Sequence, residues 1–158
     1  MSSSLTKILA GFLAGALAIL IFHQGMYAVM QMLQLPLQGK PWSTAPDAAA
    51  FGMPRLLNQM FWGGLWGILF AHLIHMLPGH MNWLKGFVFG MVFPMLLGSW
   101  LIVAAIKGQP LFSGAFAKGG FNILALRNGF LLNGLAFGVG LGVLYPLFAR
   151  LMDQRQRR

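Results

Sequence analysis

Four long apolar segments, separated by shorter polar stretches, dominate the chain. They run from about residues 8 to 33, 56 to 77, 83 to 106 and 129 to 152. Each is long enough, as a helix rising 1.5 Å per residue, to cross a hydrocarbon core that needs about 20 residues. None shows the two-residue alternation of an outer-membrane strand. The pattern therefore predicts an all-α polytopic membrane protein, with four transmembrane helices in a single domain that occupies 1–158.

Composition supports this class of protein. The chain is 58% hydrophobic and only 8% charged, whereas soluble domains carry about 25% charged residues. A soluble fold this apolar would lack the polar groups needed to cover its surface. Lipid is therefore the predicted solvent for most of the chain. The absence of cysteine excludes disulfides and thiol chemistry.

The basic residues lie in the gaps between the apolar segments and at the C-terminus. Eleven Lys and Arg stand against two acids, Asp47 and Asp153, which gives a net charge of +9. This distribution is typical of membrane topology and of contact with anionic headgroups, rather than of a nucleic-acid interface. We expect a lipid bilayer with anionic headgroups as a partner, and no nucleic acid.

A basic tail, ARLMDQRQRR at 149–158, directly follows the fourth apolar segment. The positive-inside rule therefore places both termini of this multi-pass protein in the cytoplasm, and the protein itself in a bacterial inner membrane. The first segment is too long for a cleaved signal peptide, so we predict an uncleaved signal anchor. With this orientation Trp83 and Tyr145 would anchor the inner interface, and Trp62 and Trp100 would lie near the outer one.

The two long outer connections resemble each other. GKPWS at 39–43 parallels GQPLFS at 108–113, and Asn58 parallels Asn128 at an offset of 70 residues. Such matches predict two helix–loop–helix repeats that run parallel, related by an axis near the membrane normal. The alternative is that a glycine-rich hydrophobic sequence produces these matches by chance.

Each apolar segment carries glycines spaced four residues apart. In lipid no hydrophobic effect drives helix against helix, so small residues that let two backbones approach supply the packing. The stripes predict a tight bundle of GxxxG type, with spare surface for a membrane-protein partner or a second copy of the chain. The glycines are Gly11, Gly15, Gly63, Gly67, Gly86, Gly90, Gly134, Gly138 and Gly142.

Polar residues within or beside the apolar segments are the candidates for ligand contact or proton relay, because polar groups are costly in a membrane. They are His23, Gln24, Asn58, Asn128 and Asn133. The favoured interpretation of His23 is a neutral imidazole that hydrogen-bonds across the bundle to Asn58 or Asn128. The asparagines either cap their helices or bond across the interface.

Three histidines, His72, His75 and His80, lie near the inner end of the second apolar segment. Three imidazoles could hold zinc or copper, but no Cys, Asp or Glu stands nearby to complete the ligand set. Proximity to the membrane interface explains these histidines more simply. A haem between His23 and His72 is not favoured, because the two lie at different depths. No cofactor is therefore predicted.

The stretch FHQG at 22–25 and the later NGL at 133–135 resemble an uncharacterised family of small four-span proteobacterial inner-membrane proteins. This resemblance covers about ten residues and implies location and topology. It carries over no catalytic residue.

The leading functional prediction is a non-catalytic membrane protein, an accessory, assembly or lipid-organising subunit that acts by helix–helix packing. Neither acid lies within an apolar segment, and Ser99 has no acid beside it to form a triad, so an enzyme active site is not expected. A small-solute transporter or pore is the first alternative, favoured by the duplication and by Pro94 and Pro146. A haem- or quinone-bearing membrane anchor near His23 is the second.

Overall fold

The structure, a computed structural model, describes residues 4–37, 39–77, 79–106, 108–113, 115–117 and 120–156. Four helices account for most of them: α1 Ser4–Met32, α2 Arg55–Leu73, α3 Asn82–Ile106 and α4 Ile123–Arg155. Within α1, α3 and α4 lie stretches of π-helix, at Ala18–His23, Met91–Ile102 and Phe130–Gly138 respectively. The predicted all-α class is confirmed.

Within the described residues, three helices are long and apolar enough to cross a membrane, namely α1, α3 and α4. The second predicted segment, 56–77, corresponds to the shorter helix α2, because the chain turns after Leu73. The first turns of α2 carry Arg55, Asn58 and Gln59, which lower its hydropathy. Length and composition alone therefore support three crossings.

Helix α4 begins at Ile123, earlier than the predicted residue 129. Its N-cap is Asn122, whose side-chain oxygen accepts the backbone N–H of Ala125 at 3.1 Å. Asn128 consequently lies inside the helix, and α2 begins after Pro54 without a side-chain cap. The interpretation of Asn58 and Asn128 as helix caps is wrong.

Helices α1 and α2 pack antiparallel, with their backbones in contact at two glycine pairs. A Cβ built on Gly11 would lie 2.6 Å from the carbonyl oxygen of Gly67, and one built on Gly15 would overlap the carbonyl of Gly63. A larger side chain at any of these positions would have to push backbone, not a flexible side chain, out of the way. The glycines therefore set the distance between the two helices.

Helices α3 and α4 cross in the same manner. A Cβ on Gly86 would overlap the carbonyl oxygen of Gly138, and one on Gly90 would overlap that of Asn133. At the end of the crossing, Gly142 lies against the backbone of Asn82. Backbone again meets backbone, so this crossing is as close as the first.

Other glycines are buried against side chains instead of backbone, among them Gly64 and Gly134. Gly64 faces the ring of Phe12, and Gly134 faces Met91 and Phe87. Side chains can shift more readily than backbone, so these two positions tolerate added volume better than the crossing glycines do.

One apolar core joins the two helix pairs. Phe70 of α2 contacts Phe89 of α3 edge-to-face, with ring centroids 5.1 Å apart, and Phe137 of α4 is fully buried beside them. Tyr145 packs against Phe70 and is 6% exposed, so it lies inside the bundle. Trp83 is 47% exposed.

Pro94 lies within the π-helical stretch of α3. Proline has no N–H, and its ring clashes with the carbonyl one turn earlier, so a regular α-helix cannot continue through it undisturbed. The wider π-turn accommodates the ring. The Ser99 hydroxyl donates a hydrogen bond to the Pro94 carbonyl at 3.1 Å. Pro94 therefore shapes the helix here.

The two long connections each contain a short antiparallel ribbon. The strands are β1 Pro46–Asp47 with β2 Met53–Pro54, and β3 Phe116–Ala117 with β4 Gly120–Phe121. The residue that follows each ribbon donates its N–H back to the residue before it, Arg55 to Ala45 at 3.0 Å and Asn122 to Ala115 at 2.7 Å. Both connections are thus closed by backbone hydrogen bonds at the start of the next helix.

Candidate functional site

A buried polar cluster lies between α1, α2 and the first connection. Its centre is Gln24, which is 3% exposed. The Gln24 amide donates to Gln59 Oε1 at 2.7 Å, and its oxygen accepts the backbone N–H of Trp42 at 2.8 Å. One side chain therefore links two helices and the connection between them.

The π-helical turn before Gln24 supplies a second attachment for the connection. In an α-helix the Gln24 N–H would bond to the Leu20 carbonyl, but here it donates to the carbonyls of Ile19 and Ile21. The Leu20 carbonyl instead accepts the indole N–H of Trp42 at 2.9 Å. Trp42 holds a left-handed backbone conformation, with φ of 49°, to make both contacts. The connection is thus fastened to the middle of α1.

His23 is buried next to this cluster, with 9% of its surface exposed. Its Nδ1 lies 3.5 Å from the Gln24 amide nitrogen, at the limit of a hydrogen bond. The two asparagines expected to reach it bond elsewhere: Asn58 donates to Asp47 at 3.3 Å, and Asn128 donates to the Pro36 carbonyl at 3.4 Å. The imidazole and its amide neighbour therefore form the inner edge of the cluster.

Asn58 and Asn128 each donate a hydrogen bond from the first turns of a helix to the first connection. Asn128 also accepts two hydrogen bonds from the Arg127 guanidinium, at 2.8 and 3.1 Å, and Arg127 reaches the Pro36 carbonyl at 3.4 Å. Asn133 contributes its backbone carbonyl to the contact with Gly90. The structure thus brings His23 and Gln24 together, and it places the three asparagines at separate structural contacts.

The candidate metal ligands do not converge. The ring nitrogen Nδ1 of His72 lies 2.8 Å from the Ile68 carbonyl of its own helix, while His75 and His80 are exposed. In the part of the chain that the structure describes, no three His, Cys, Asp or Glu side chains lie close enough to hold a metal ion.

The chemistry available to the cluster is that of neutral amides and one imidazole. Every buried side-chain nitrogen and oxygen of the described residues has a hydrogen-bond partner. Gln59 and Trp42 complete the cluster, and neither is among the candidate residues of the sequence analysis. The GKPWS stretch at 39–43, which contains Trp42, is the sequence signal that could have identified it. The cluster is thus organised to hold the connection in place.

No family model matches the chain, and neither the curated proteins nor the solved structures contain a match to it. The functional conclusion therefore rests on the geometry of this molecule.

Proposed function

We propose that the chain is a four-span inner-membrane protein made of two parallel helix–loop–helix units, and that it acts without catalysis as an accessory, assembly or lipid-organising subunit. The observation that carries this proposal is the backbone-to-backbone contact of glycines at both helix crossings. In lipid, where no hydrophobic effect drives helix against helix, such close packing contributes to helix association. The polar groups of the bundle are meanwhile engaged in holding its own parts together.

The crossing of α2 is supported by its length and its neighbour. Its 19 residues span about 28 Å, close to the roughly 30 Å of a hydrocarbon core. It lies antiparallel along α1, with Gly63 beside Gly15 and Gly67 beside Gly11. A helix packed along a membrane-spanning helix over this distance reaches the opposite interface as well.

The two-unit organisation is supported by matching contacts. The glycines of the first crossing, Gly11, Gly15, Gly63 and Gly67, have counterparts 75 residues later in Gly86, Gly90, Gly138 and Gly142. In the connections, Trp42 and Phe112 both have left-handed backbone conformations, and a two-stranded ribbon follows each. Chance similarity in sequence would not be expected to reproduce contacts and conformations together.

The apolar side chains that fill the interior of the bundle favour a packing role over transport. The largest fully buried side chains include Phe70, Phe89 and Phe137, which fill the space between the helix pairs. A transport path needs polar or hydrated groups along the bundle. The buried polar cluster around Gln24 is instead saturated by protein partners. A cofactor at His23 would have to displace this packing.

Single-cysteine labelling tests the topology without background, since the chain contains no cysteine. Four exposed positions report on the connections and the tail: Thr44→Cys, Met81→Cys, Gln109→Cys and Gln154→Cys. A membrane-impermeant maleimide applied to spheroplasts should label the first and third, and should label the others only after permeabilisation. Equal labelling of Thr44→Cys and Met81→Cys in intact spheroplasts would show that α2 does not cross.

Purification in a mild detergent, with an absorption spectrum and mass spectrometry, tests the functional class. We expect a stoichiometric membrane-protein partner or a defined oligomer, retained equally by the parent and by His23→Ala. A Soret band that disappears in His23→Ala would identify a haem anchor instead. Solute flux in proteoliposomes that depends on His23 would identify a transporter.

A further inference from the structure

A second feature of the molecule lies at the end of the bundle where the start of α1, the end of α4 and the short α2–α3 connection meet. A cavity of about 280 Å³ opens there, lined by residues from α1, α3 and α4 and from that connection. Its polar lining consists of Lys7, His75, Asn82, Lys85, Tyr145 and Arg150. Its apolar lining consists of Ile74, Pro146 and Ala149.

Among the residues that the structure describes, the lining carries three permanent cations and no acid. Lys7 comes from α1, Lys85 from α3 and Arg150 from α4, so the fold collects charges that are far apart in the sequence. Like charges repel, and the repulsion grows near a low-dielectric apolar wall. Asp153 follows Arg150 by one turn but does not line the cavity. An anion bound among the three cations would relieve this repulsion.

One of the three cations, Lys85, is held in place by a hydrogen bond. The Lys85 ammonium donates to the Ile74 carbonyl at 3.0 Å, at the carboxyl end of α2. This bond uses one of the three ammonium donors and leaves the charge at the cavity wall. Tyr145 is kept beside it by the contact of its ring with Phe70. The site is thus supported by the packed core beneath it.

We propose that this cavity binds a phosphate group, that of an anionic membrane lipid. A phosphate accepts hydrogen bonds from ammonium, guanidinium, amide and hydroxyl groups, all of which line the cavity. Basic pockets between transmembrane helices on the cytoplasmic side bind lipid headgroups of this kind. The placement at the membrane surface rests on the proposed four-span topology, which puts the termini at the leaflet rich in anionic lipid.

The test compares two variants that lose the same net charge. Lys7→Gln with Arg150→Gln removes two cavity cations, while Lys40→Gln with Arg155→Gln removes two exposed cations that do not line the cavity. Each purified protein is titrated with short-chain phosphatidylglycerol, first alone and then in competition with short-chain phosphatidylcholine or with inorganic phosphate. Native mass spectrometry counts the bound molecules, and circular dichroism checks that both variants remain folded.

We expect phosphatidylglycerol to bind the parent at one site, at least tenfold more weakly in the cavity variant and within twofold of the parent in the control. Phosphatidylcholine and millimolar inorganic phosphate should not displace it. Equal weakening in both variants would overturn the proposal, because binding would then follow net charge alone. Displacement by inorganic phosphate would overturn the lipid as the source. Binding in detergent is measured independently of the labelling pattern, so a wrong topology and a wrong binding site give different results.

Discussion

The first helix pair, 4–73, and the second, 82–155, share their crossings but differ in how each holds its long connection. In the first, side chains do so, because Gln24 and the Trp42 indole bond between the connection and α1. In the second, the backbone N–H of Phe112 donates to the Trp100 carbonyl at 2.9 Å. The glycine crossings recur, whereas the buried polar cluster is found in the first pair.

This difference separates the contacts that both helix pairs share from the contacts that distinguish the first pair from the second. Glycines at the crossings serve both pairs, so they belong to the architecture. The amide cluster holds one connection, and burying its polar groups is costly unless they are hydrogen-bonded. A ligand or partner that contacts the long connections therefore meets two unlike surfaces. A variant in one helix pair can therefore be compared with a variant in the other pair.

Replacing Gly138 by Leu should give the largest effect, a loss of about 3 kcal/mol in the free energy of unfolding, because added volume forces two backbones apart. Gly25→Leu is the matched control, since a Cβ at Gly25 meets no atom within 4 Å, and it should cost less than about 0.5 kcal/mol. Unfolding in mixed detergent micelles, followed by circular dichroism, measures both.

The same measurement on His23→Ala separates packing from polar chemistry. This variant loses an imidazole at the edge of the cluster and should be less damaging than Gly138→Leu. If Gly138→Leu is as stable as the parent, the close backbone contact at this crossing does not stabilise the bundle. A His23 variant that unfolds more readily than the Gly138 variant would move the main stabilising role to the cluster.

Gln24→Met should cost about 2 kcal/mol, because it leaves the Trp42 N–H and the Gln59 amide without their partner in a buried place. Ser99→Ala is the counterpart in the second pair and should cost about 0.5 kcal/mol, since Ser99 bonds only to its own helix. Adding Gln59→Leu to Gln24→Met should recover part of the loss. An equal loss in the two single variants would contradict the contrast between the pairs.

Trp42→Phe should cost about 1 kcal/mol, because it removes the indole hydrogen bond to Leu20 and keeps an aromatic ring. Hydrogen exchange in the first connection should rise, while that in the second should stay unchanged. Phe112→Leu is the control, since the bond that holds the second connection comes from its backbone. Faster exchange in both connections after Trp42→Phe would show that they are not held separately.

The elements that could be predicted from sequence are those that depend on local periodicity. Apolar segments of helical length gave the all-α class and approximate helix positions, although α2 ends early and α4 begins early. Long-range contacts were less accessible. The offset of about 70 in the connections becomes 75 at the crossings for two reasons. Helix α1 has more residues than α3 between its last crossing glycine and the connection, and α4 has more residues between Asn128 and Gly138 than α2 has between Asn58 and Gly63.

The candidate site was predictable in part for the same reason. His23 and Gln24 stand out because polar residues are rare in the first apolar segment. Their partners could not be inferred, because Trp42 reaches them through a left-handed backbone and a displaced helical hydrogen bond. Asn58 and Asn128, which were expected to bond to His23, instead donate hydrogen bonds to residues of the first connection. The groups that bond to Gln24 are known only once the fold of the first connection is known.

The smallest predicted effect concerns the ends of α1 and α3, which close in the same way with different residues. After α1, Gln34 has φ of 55° and donates to Gln31, while Leu35 donates to Met30. After α3, Gly108 has φ of 61°, and its N–H and that of Gln109 make the equivalent bonds. This is the Schellman arrangement, in which the left-handed position favours glycine.

Exchanging the two residues should therefore give effects of opposite sign. Gly108→Gln should destabilise by about 1 kcal/mol, because a side chain is strained in the left-handed region. Gln34→Gly relieves that strain but adds freedom to the unfolded chain, so its net gain should be about 0.5 kcal/mol. Gln34 is exposed, so few contacts are lost with its side chain. The free energy of unfolding of both variants in micelles tests this prediction. If Gln34→Gly destabilises as much as Gly108→Gln does, contacts of the Gln34 side chain outweigh backbone strain. The two helix ends are then not equivalent.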